Sequence, residues 1–513
     1  MNDKKQVRQT DKHTGIIYVY EAETYWDKKS KHTRYRNRKL IGHVDKATGE
    51  VVPNRPTQAS PANPESRRLF YGVAHLLNSL SDQIGLGADL RRGYPGMDSA
   101  IASIAQFLLC EDTSAAARFA RWSRTHVHPF GREISSQRAS ELFETIGDKG
   151  TEEFFRARVA RAGHDYWFYD TTSISSYSQY IESVRWGRNK DNVPLPQINL
   201  ATILDAESGL PVCYRDLPGN ISDVVLIRQL LNETQDLGIK RIRLCLDRGF
   251  YSKANIDALM AEHMKFLVGC KTSITFVGKA IRDNSSELRG WQNYDKASRT
   301  YLLRLPVQWD FEQTKKRAYL ILCFSPERAL KDEEELSQLL GILSYELNSG
   351  CRQDDHERHY ERYFKQIRGG RYIGRDDIIA LERERFGYFA LLSNDASLSA
   401  ADAYKVYRSK DKIEKAFGDV KSRLGFRTPK VENTETLRGK LLCTFVALIL
   451  ASELRKRMTA SGIDEKYTLQ GLIDELDTIE RYEHQRHHPR IITVTKKQKD
   501  IYVALGVEPL CAS

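Results

Sequence analysis

"PQINLATILDAESGLPVCYRDLPGN", residues 196–220, holds two β-rich runs on either side of Asp-Ala-Glu-Ser-Gly. Apolar and β-branched residues flanking such a turn-forming cluster mark two antiparallel strands joined by a short connection. Upstream, HDYWFYDTTSISSYS (164–178) opens as an aromatic strand, so the three form a meander. Downstream the texture changes. SDVVLIRQLLNETQDLG (222–238) has the spacing of an amphipathic helix, with Ser222 or Asp223 as its cap. KRIRLCLDRGF (240–250) is an apolar strand ending at Asp247, KANIDALMAEH (253–263) a helix and KFLVGC (265–270) a further strand.

Three strands in meander and then α-β-α-β is the element order of a ribonuclease-H-like α/β fold. Continuous apolar runs are what parallel strands covered on both faces require. From 272 to 385 the pattern is interrupted: SITFVGKAI, TYLLRLPVQWDF and KRAYLILCFS read as strands and LKDEEELSQLLGILSYELNS as a helix. The expectation is an inserted β-rich subdomain. The core resumes with the strand FGYFALLSN (386–394) and a long helix over about 398–423. Ahead of the core, 1–52 reads as a small basic β unit, 53–68 as a proline-rich linker and 69–155 as a helical DNA-binding domain. The core itself then occupies 160–271 and 386–456, and 457–513 forms a C-terminal tail.

The chain has 513 residues, 41% hydrophobic and 29% charged, a soluble globular composition with room for several domains. Its formal charge of +11 favours a polyanionic partner. The eight cysteines are scattered without a CxxC pair, which gives no zinc site or disulfide framework and reads as reduced thiols. The N-terminal residues lack a signal-peptide core, and LLCTFVALILA (441–451) is too short to span a bilayer. A cytoplasmic protein without a membrane partner, nucleoid-associated when bound to DNA, is expected.

Asp170 follows one expected strand and Asp247 ends another. In an open α/β sheet, groups at neighbouring carboxyl strand ends converge where ligands bind. Glu414, in DKIEKAFGDVKSRLGF (411–426), joins them from the late helix. Three carboxylates around one point repel unless divalent cations neutralise them, and hard oxygen ligands suit Mg²⁺ or Mn²⁺. Tyr407, Lys410, Glu414 and Lys421 fall within about 60° of one helix face at roughly 100° per residue, so phosphate-binding groups flank the carboxylate. Arg248, beside Asp247, either touches phosphate or braces the carboxylate.

These residues resemble the DDE transposases of bacterial insertion sequences, in the group with a Tyr-Arg-Glu-Lys signature. The signature's spacing is met by Tyr407, Lys410, Glu414 and Lys421, with lysine in the arginine position. Lysine keeps the charge and loses bidentate recognition of phosphate. YDTTS, PGNISD and LDRGFYS are similar to the family's blocks around its first two aspartates, and an insertion before the glutamate helix is also the family's arrangement. The resemblance implies Asp170, Asp247 and Glu414 as the metal-binding catalytic triad for two Mg²⁺ or Mn²⁺ ions. It implies Tyr407, Lys410 and Lys421 as contacts to transposon-end phosphates. The reaction implied is cleavage of double-stranded DNA at the insertion-sequence ends and strand transfer into target DNA, by a homodimer in the synaptic complex. Some relatives pass through a hairpin with a tryptophan holding a flipped base, for which Trp291 and Trp309 are candidates here.

Other features carry less. His356 and His359 in DDHERHY are three apart, whereas a zinc-binding His-Glu-x-x-His pair is four apart. KKSKHTRYRNRK (28–39) is either a DNA-facing strip or a solvated turn. Two rivals share the fold: a metal-dependent nuclease that cuts without joining, and an inactive transposase-derived DNA-binding protein.

Overall fold

Alternating polar and β-branched residues near the N-terminus form a four-stranded antiparallel sheet in the computed structural model. Its strands are β1 (Lys4–Thr10), β2 (Ile17–Asp27), β3 (His32–Val44) and β4 (Val51–Pro53), paired in sequence order. They belong to one compact unit, Met1–Arg68 with Tyr482–Pro489; Leu69–Arg481 with Arg490–Ser513 makes the other. The structure describes residues 4–11, 15–27, 32–45, 49–53, 66–111, 118–163, 165–187, 189–191, 193–221, 242–429, 431, 433–484 and 487–511, without the side chains of 4, 25–39 and 53. The basic strip of 28–39, most of the 53–68 linker and the helix expected over 222–238 therefore lie outside the described residues or side chains.

In the larger unit the three-and-four spacing of 69–161 becomes α1 (Gly72–Gln83), α2 (Leu86–Gly93), α3 (Asp98–Cys110), α4 (Ser136–Thr145) and α5 (Asp148–Arg161). Ser135 caps α4, its hydroxyl accepting the Arg138 N–H, which satisfies one of the orphan donors of the first turn. The meander follows as β5 (Tyr166–Ser175), β6 (Gln197–Asp205) and β7 (Pro211–Pro218). Asp205 ties the β6–β7 turn by accepting from the Ser208 N–H and hydroxyl. Gly209 closes it at φ 71°, a left-handed conformation that suits glycine.

Then come β8 (Arg243–Leu246), α6 (Lys253–Ala261) and β9 (Lys265–Cys270). β5–β8 and β8–β9 pair in parallel, so β8 lies between two parallel neighbours. SITFVGKAI, expected as a strand, is instead the start of α7 (Thr275–Leu288). Val277 and Ile281 are four apart and both buried, a helical period that outweighs the β-branched content.

β10 (Tyr294–Asp295), β11 (Thr300–Phe311) and β12 (Thr314–Phe324) come next in the chain. They do not make a sheet of their own. They extend the central one through β13 (Tyr388–Ser393), giving the nine-stranded mixed order β10-β11-β12-β13-β9-β8-β5-β6-β7. Between β12 and β13 the insertion is mainly helical: α8 (Pro326–Ser349), α9 (Glu357–Tyr363) and α10 (Asp376–Arg383), with a ribbon of two short strands, Phe364–Gln366 and Tyr372–Gly374. The chain continues as α11 (Ala400–Arg408), α12 (Asp411–Gly418) and α13 (Thr434–Ser461).

Every residue of LLCTFVALILA is buried within α13, where it packs on α3 and α4. One continuous apolar core includes side chains from α1–α5, the central sheet and α13. A second, small core of Leu336, Leu343, Leu347, Tyr360, Tyr363 and Ile379 joins α8, α9 and α10. Among the described residues no helix is long and apolar enough to cross a membrane. All eight cysteines are free thiols, five of them buried.

Candidate active site

The parallel ladder of β5 and β8 ends with Tyr169 opposite Leu246, which makes Asp170 and Asp247 the next residue on each chain. Asp247 leaves its strand there. Asp170, expected just past its strand, lies inside it, because β5 runs on to Ser175 against β6. Every other residue of β5 is buried; Asp170 alone reaches solvent, with 15% of its side chain exposed. Its carboxylate accepts the Thr171 N–H at 2.7 Å and stands 3.7 Å from the Lys190 ammonium. Burial pushes the Asp170 carboxyl up to about 6, against the opposing pull of Lys190. At Asp247 burial also works upward, but the hydrogen bond and charge of Lys410 outweigh it and hold that carboxyl below its ordinary range.

Lys410 comes from the joint between α11 and α12. The helix is tightened there by bonds over three residues: Lys410 N–H to Tyr407 O and Ile413 N–H to Lys410 O. This sets two donors on one oxygen, since the Tyr407 hydroxyl (3.1 Å) and the Lys410 ammonium (2.7 Å) both donate to Asp247 Oδ1. Lys410 also lies 3.3 Å from the Glu414 carboxylate, which is 59% exposed. The Tyr407 hydroxyl is held well above its usual range, first by burial and then by the Asp247 charge. Burial would lower Lys410, yet its bond and attraction to Asp247 prevail and raise it.

Tyr407, Lys410 and Glu414 thus gather at Asp247. Lys421 does not. Asp419–Arg423 is a π turn, closed by Leu424 N–H to Asp419 O, and the uniform 100° per residue assumed for one face fails across it. Lys421 instead grips both oxygens of Asp191, at 2.7 and 2.8 Å. It still lines a cavity of about 1100 Å³ together with Asp170, Asp247 and Glu414. Arg248, exposed in the short turn after Asp247, lines a second cavity of about 1020 Å³ with Asp247, Lys410 and Glu414.

Several contributors carry no clear sequence signal. Lys190 donates to the Thr171 carbonyl (2.7 Å) and hydroxyl (2.8 Å), beside Asp170. Asp191 holds Lys421, and Asn189 donates to Ser175. All three sit in a polar connection whose composition reads as an ordinary loop. Gly269 in β9 is a second case: a Cβ there would lie 2.4 Å from the Tyr407 hydroxyl, so the tyrosine's seat depends on its absence. Asn220 lines the cavity of Asp170. Trp291 is 81% exposed, and Trp309 donates its indole N–H to Asp257 at 2.8 Å. His356 bonds Glu346 rather than pairing with His359 on a shared ligand.

Among the described residues no three histidine, cysteine or carboxylate side chains form a group that could hold a metal ion as they stand. The donor chemistry nevertheless fits a hard divalent cation. Asp170, Asp247 and Glu414 present carboxylate oxygens to one cavity, and the Lys410 ammonium stands as a cation between two of them.

Residues 167–450, more than half of the chain, match the family model of the transposase DDE domain. Comparison with curated proteins finds no match. Among solved structures, similarity is found to a piggyBac transposase synaptic complex with hairpin DNA, determined by cryo-EM. The identity is 10% and the TM-score 0.36, over 79% of this chain and 76% of that one.

Proposed function

The chain belongs to the transposase DDE domain family, and from that premise we propose that it is a DNA transposase, cleaving double-stranded DNA at the ends of an insertion sequence and joining them to target DNA. The observation that carries this reading is the pairing of Asp170 with Asp247. The two carboxylates directly follow the last pair of the parallel ladder of β5 and β8, with Glu414 sharing their cavity. The strand order β7-β6-β5-β8-β9 supports a ribonuclease-H-like core, and the spacing of Tyr407, Lys410, Glu414 and Lys421 supports the Tyr-Arg-Glu-Lys group.

Divalent metal ions are general to this family. In this proposal Asp170, Asp247 and Glu414 would hold two Mg²⁺ or Mn²⁺ ions, and these would supply Lewis-acid chemistry to the phosphodiester. The chain's own side chains bind and orient. Tyr407 and Lys410 fix Asp247 and face the scissile phosphate. Lys421 takes a phosphate of the transposon end and Arg248 a DNA phosphate on the other flank of Asp247, where cationic donors position the backbone without reading sequence. A hydrolytic step frees a 3′-hydroxyl, and that hydroxyl then attacks a phosphodiester of the target. Two copies holding two ends give the synaptic complex.

The test is a cleavage and joining assay with Mg²⁺ on duplexes copied from the DNA flanking the gene. Wild-type protein should cut and join, and Asp170→Asn should do neither. Cutting without joining would favour a nuclease. Undiminished activity in Asp170→Asn would sink the site assignment.

A further inference from the structure

Two cavities open on the same carboxylates, one on each flank of β8. The flank toward β5 carries Asp170, Lys190, Asp191 and Lys421. The flank toward β9 carries Arg248 and Lys271 and continues to Arg328, Arg362 and Arg385 of the helical insertion. Asp247, Lys410 and Glu414 belong to both walls. Since β8 lies between β5 and β9 in the sheet, the carboxyl end that presents Asp247 separates the two spaces.

The two walls differ in how their cations are engaged. On the β5 flank Lys190 and Lys421 are bonded to Thr171 and Asp191, and Arg427 is the one exposed cation of that wall without an ion pair to a described residue. On the β9 flank Arg328 faces Asp332 and Arg362 pairs with Glu382, but Arg248, Lys271 and Arg385 make no ion pair with any described residue. Arg248 and Lys271 are exposed. Cations with no carboxylate partner among the described residues, beside the proposed phosphoryl-transfer site, favour a polyanion, and guanidinium groups match phosphate geometry.

We propose that the cavity of Arg248, Lys271 and Arg385 seats a strand of the acceptor duplex, while the cavity of Lys190 and Lys421 seats the transposon end. This rests on the reading of the chain as a transposase. In the joining step the 3′-oxygen of the end forms a bond to an acceptor phosphorus as the bond from that phosphorus to the acceptor's own 3′-oxygen breaks. The proton lost by the attacking hydroxyl is matched by the one the leaving oxygen gains, so the number of phosphodiester bonds is unchanged and no co-reactant is needed. An in-line displacement brings attacking and leaving strands to the phosphorus from opposite sides. Cavities on the two flanks of Asp247 meet that requirement.

The experiment compares wild type, Lys271→Ala/Arg385→Ala and Lys271→Arg/Arg385→Lys. One assay cuts duplexes of the flanking DNA with Mg²⁺. The other joins pre-cut ends bearing a free 3′-hydroxyl to a supercoiled plasmid. The alanine pair should lose at least tenfold more joining than cutting, and the charge-keeping pair should recover most of it. Unaltered joining by the alanine pair would overturn the proposal, as would an equal fall in both steps, which would give this cavity to the transposon end or to folding. If wild type neither cuts nor joins, the transposase reading falls first and this one with it.

Discussion

Asp170 and Asp247 are alike in chemistry and opposite in state. Asp170 sits in the strand interior, and its carboxyl is raised to about 6 because burial outweighs the attraction of Lys190. A folded-state value above the ordinary 3.8 means that the fold holds this proton more tightly than the unfolded chain does. The penalty for ionising it is absent below about pH 4 and complete above about pH 6. Asp170→Asn should therefore abolish cleavage yet stabilise the protein at pH 8, by on the order of 2 kcal/mol. Denaturant unfolding at pH 8 and pH 4 checks this, with the gain shrinking at the lower pH. Asp247 behaves in the reverse sense. Its lowered value contributes stability that is present above the unfolded value and is lost as pH falls through the folded one. Removing its cation with Lys410→Ala should cost on the order of 1–2 kcal/mol at pH 7, discounted because Asp247 is about one-third exposed. The cost should fade as pH falls below the unfolded value of 3.8 and on through the lower folded one, where Asp247 takes up its proton. Lys410→Arg places arginine where the proposed Tyr-Arg-Glu-Lys spacing calls for it and should retain cleavage; a loss as large as that of Lys410→Ala would show that the ammonium's small size, rather than its charge, is what the site needs.

At the scale of elements, the sequence makes the meander, β8, β9 and α13 legible because each is a continuous or periodic apolar run bounded by turn residues. It misleads where local composition and tertiary packing disagree. SITFVGKAI is β-branched and aromatic, yet it is a helix because Val277 and Ile281 both enter the core. The glutamate helix shows the same limit at the site. Its residue types and spacing are visible in sequence, but the tight joint at 409–410 and the π turn at 419–423 are not, and they decide that Lys421 meets Asp191 instead of Asp247. Gly269 shows what pattern alone cannot reveal, since its meaning lies in a tyrosine 138 positions along the chain. Gly269→Ala should push the Tyr407 hydroxyl off Asp247 and reduce cleavage about tenfold, the value of a lost hydrogen bond to a charged group. Combined with Tyr407→Phe, the losses should not add, because both remove one interaction. Fully additive losses would mean that Gly269 acts through the strand rather than through Tyr407.

At the scale of the molecule, the sequence reads 272–385 as an insertion of its own, and the structure divides that segment between two cores. β11 and β12 continue the central sheet, whereas α8, α9 and α10 close on a separate cluster of six buried side chains. A small cluster buries little apolar area against the entropy of ordering a 24-residue helix, so this region should open more readily than the sheet. Leu343 is fully buried at its centre. Leu343→Ala should weaken the cluster by about 2–4 kcal/mol through lost contacts and the cavity left behind. Native-state hydrogen exchange can separate the two cores. Amides of α8 after Pro326 should exchange faster than those of β5, β8 and β9 in the wild type, and the substitution should accelerate only the former. The reason to expect this independence also bears on the proposed function, because Arg328 and Arg362 of these helices and Arg385 just after α10 line the cavity of Asp247 and Glu414. A wall that opens without disturbing Asp170 and Asp247 can admit a second DNA strand while the carboxylates keep their places on the sheet. Equal acceleration of the sheet amides in Leu343→Ala would show that the insertion and the core unfold as one, and would remove that freedom.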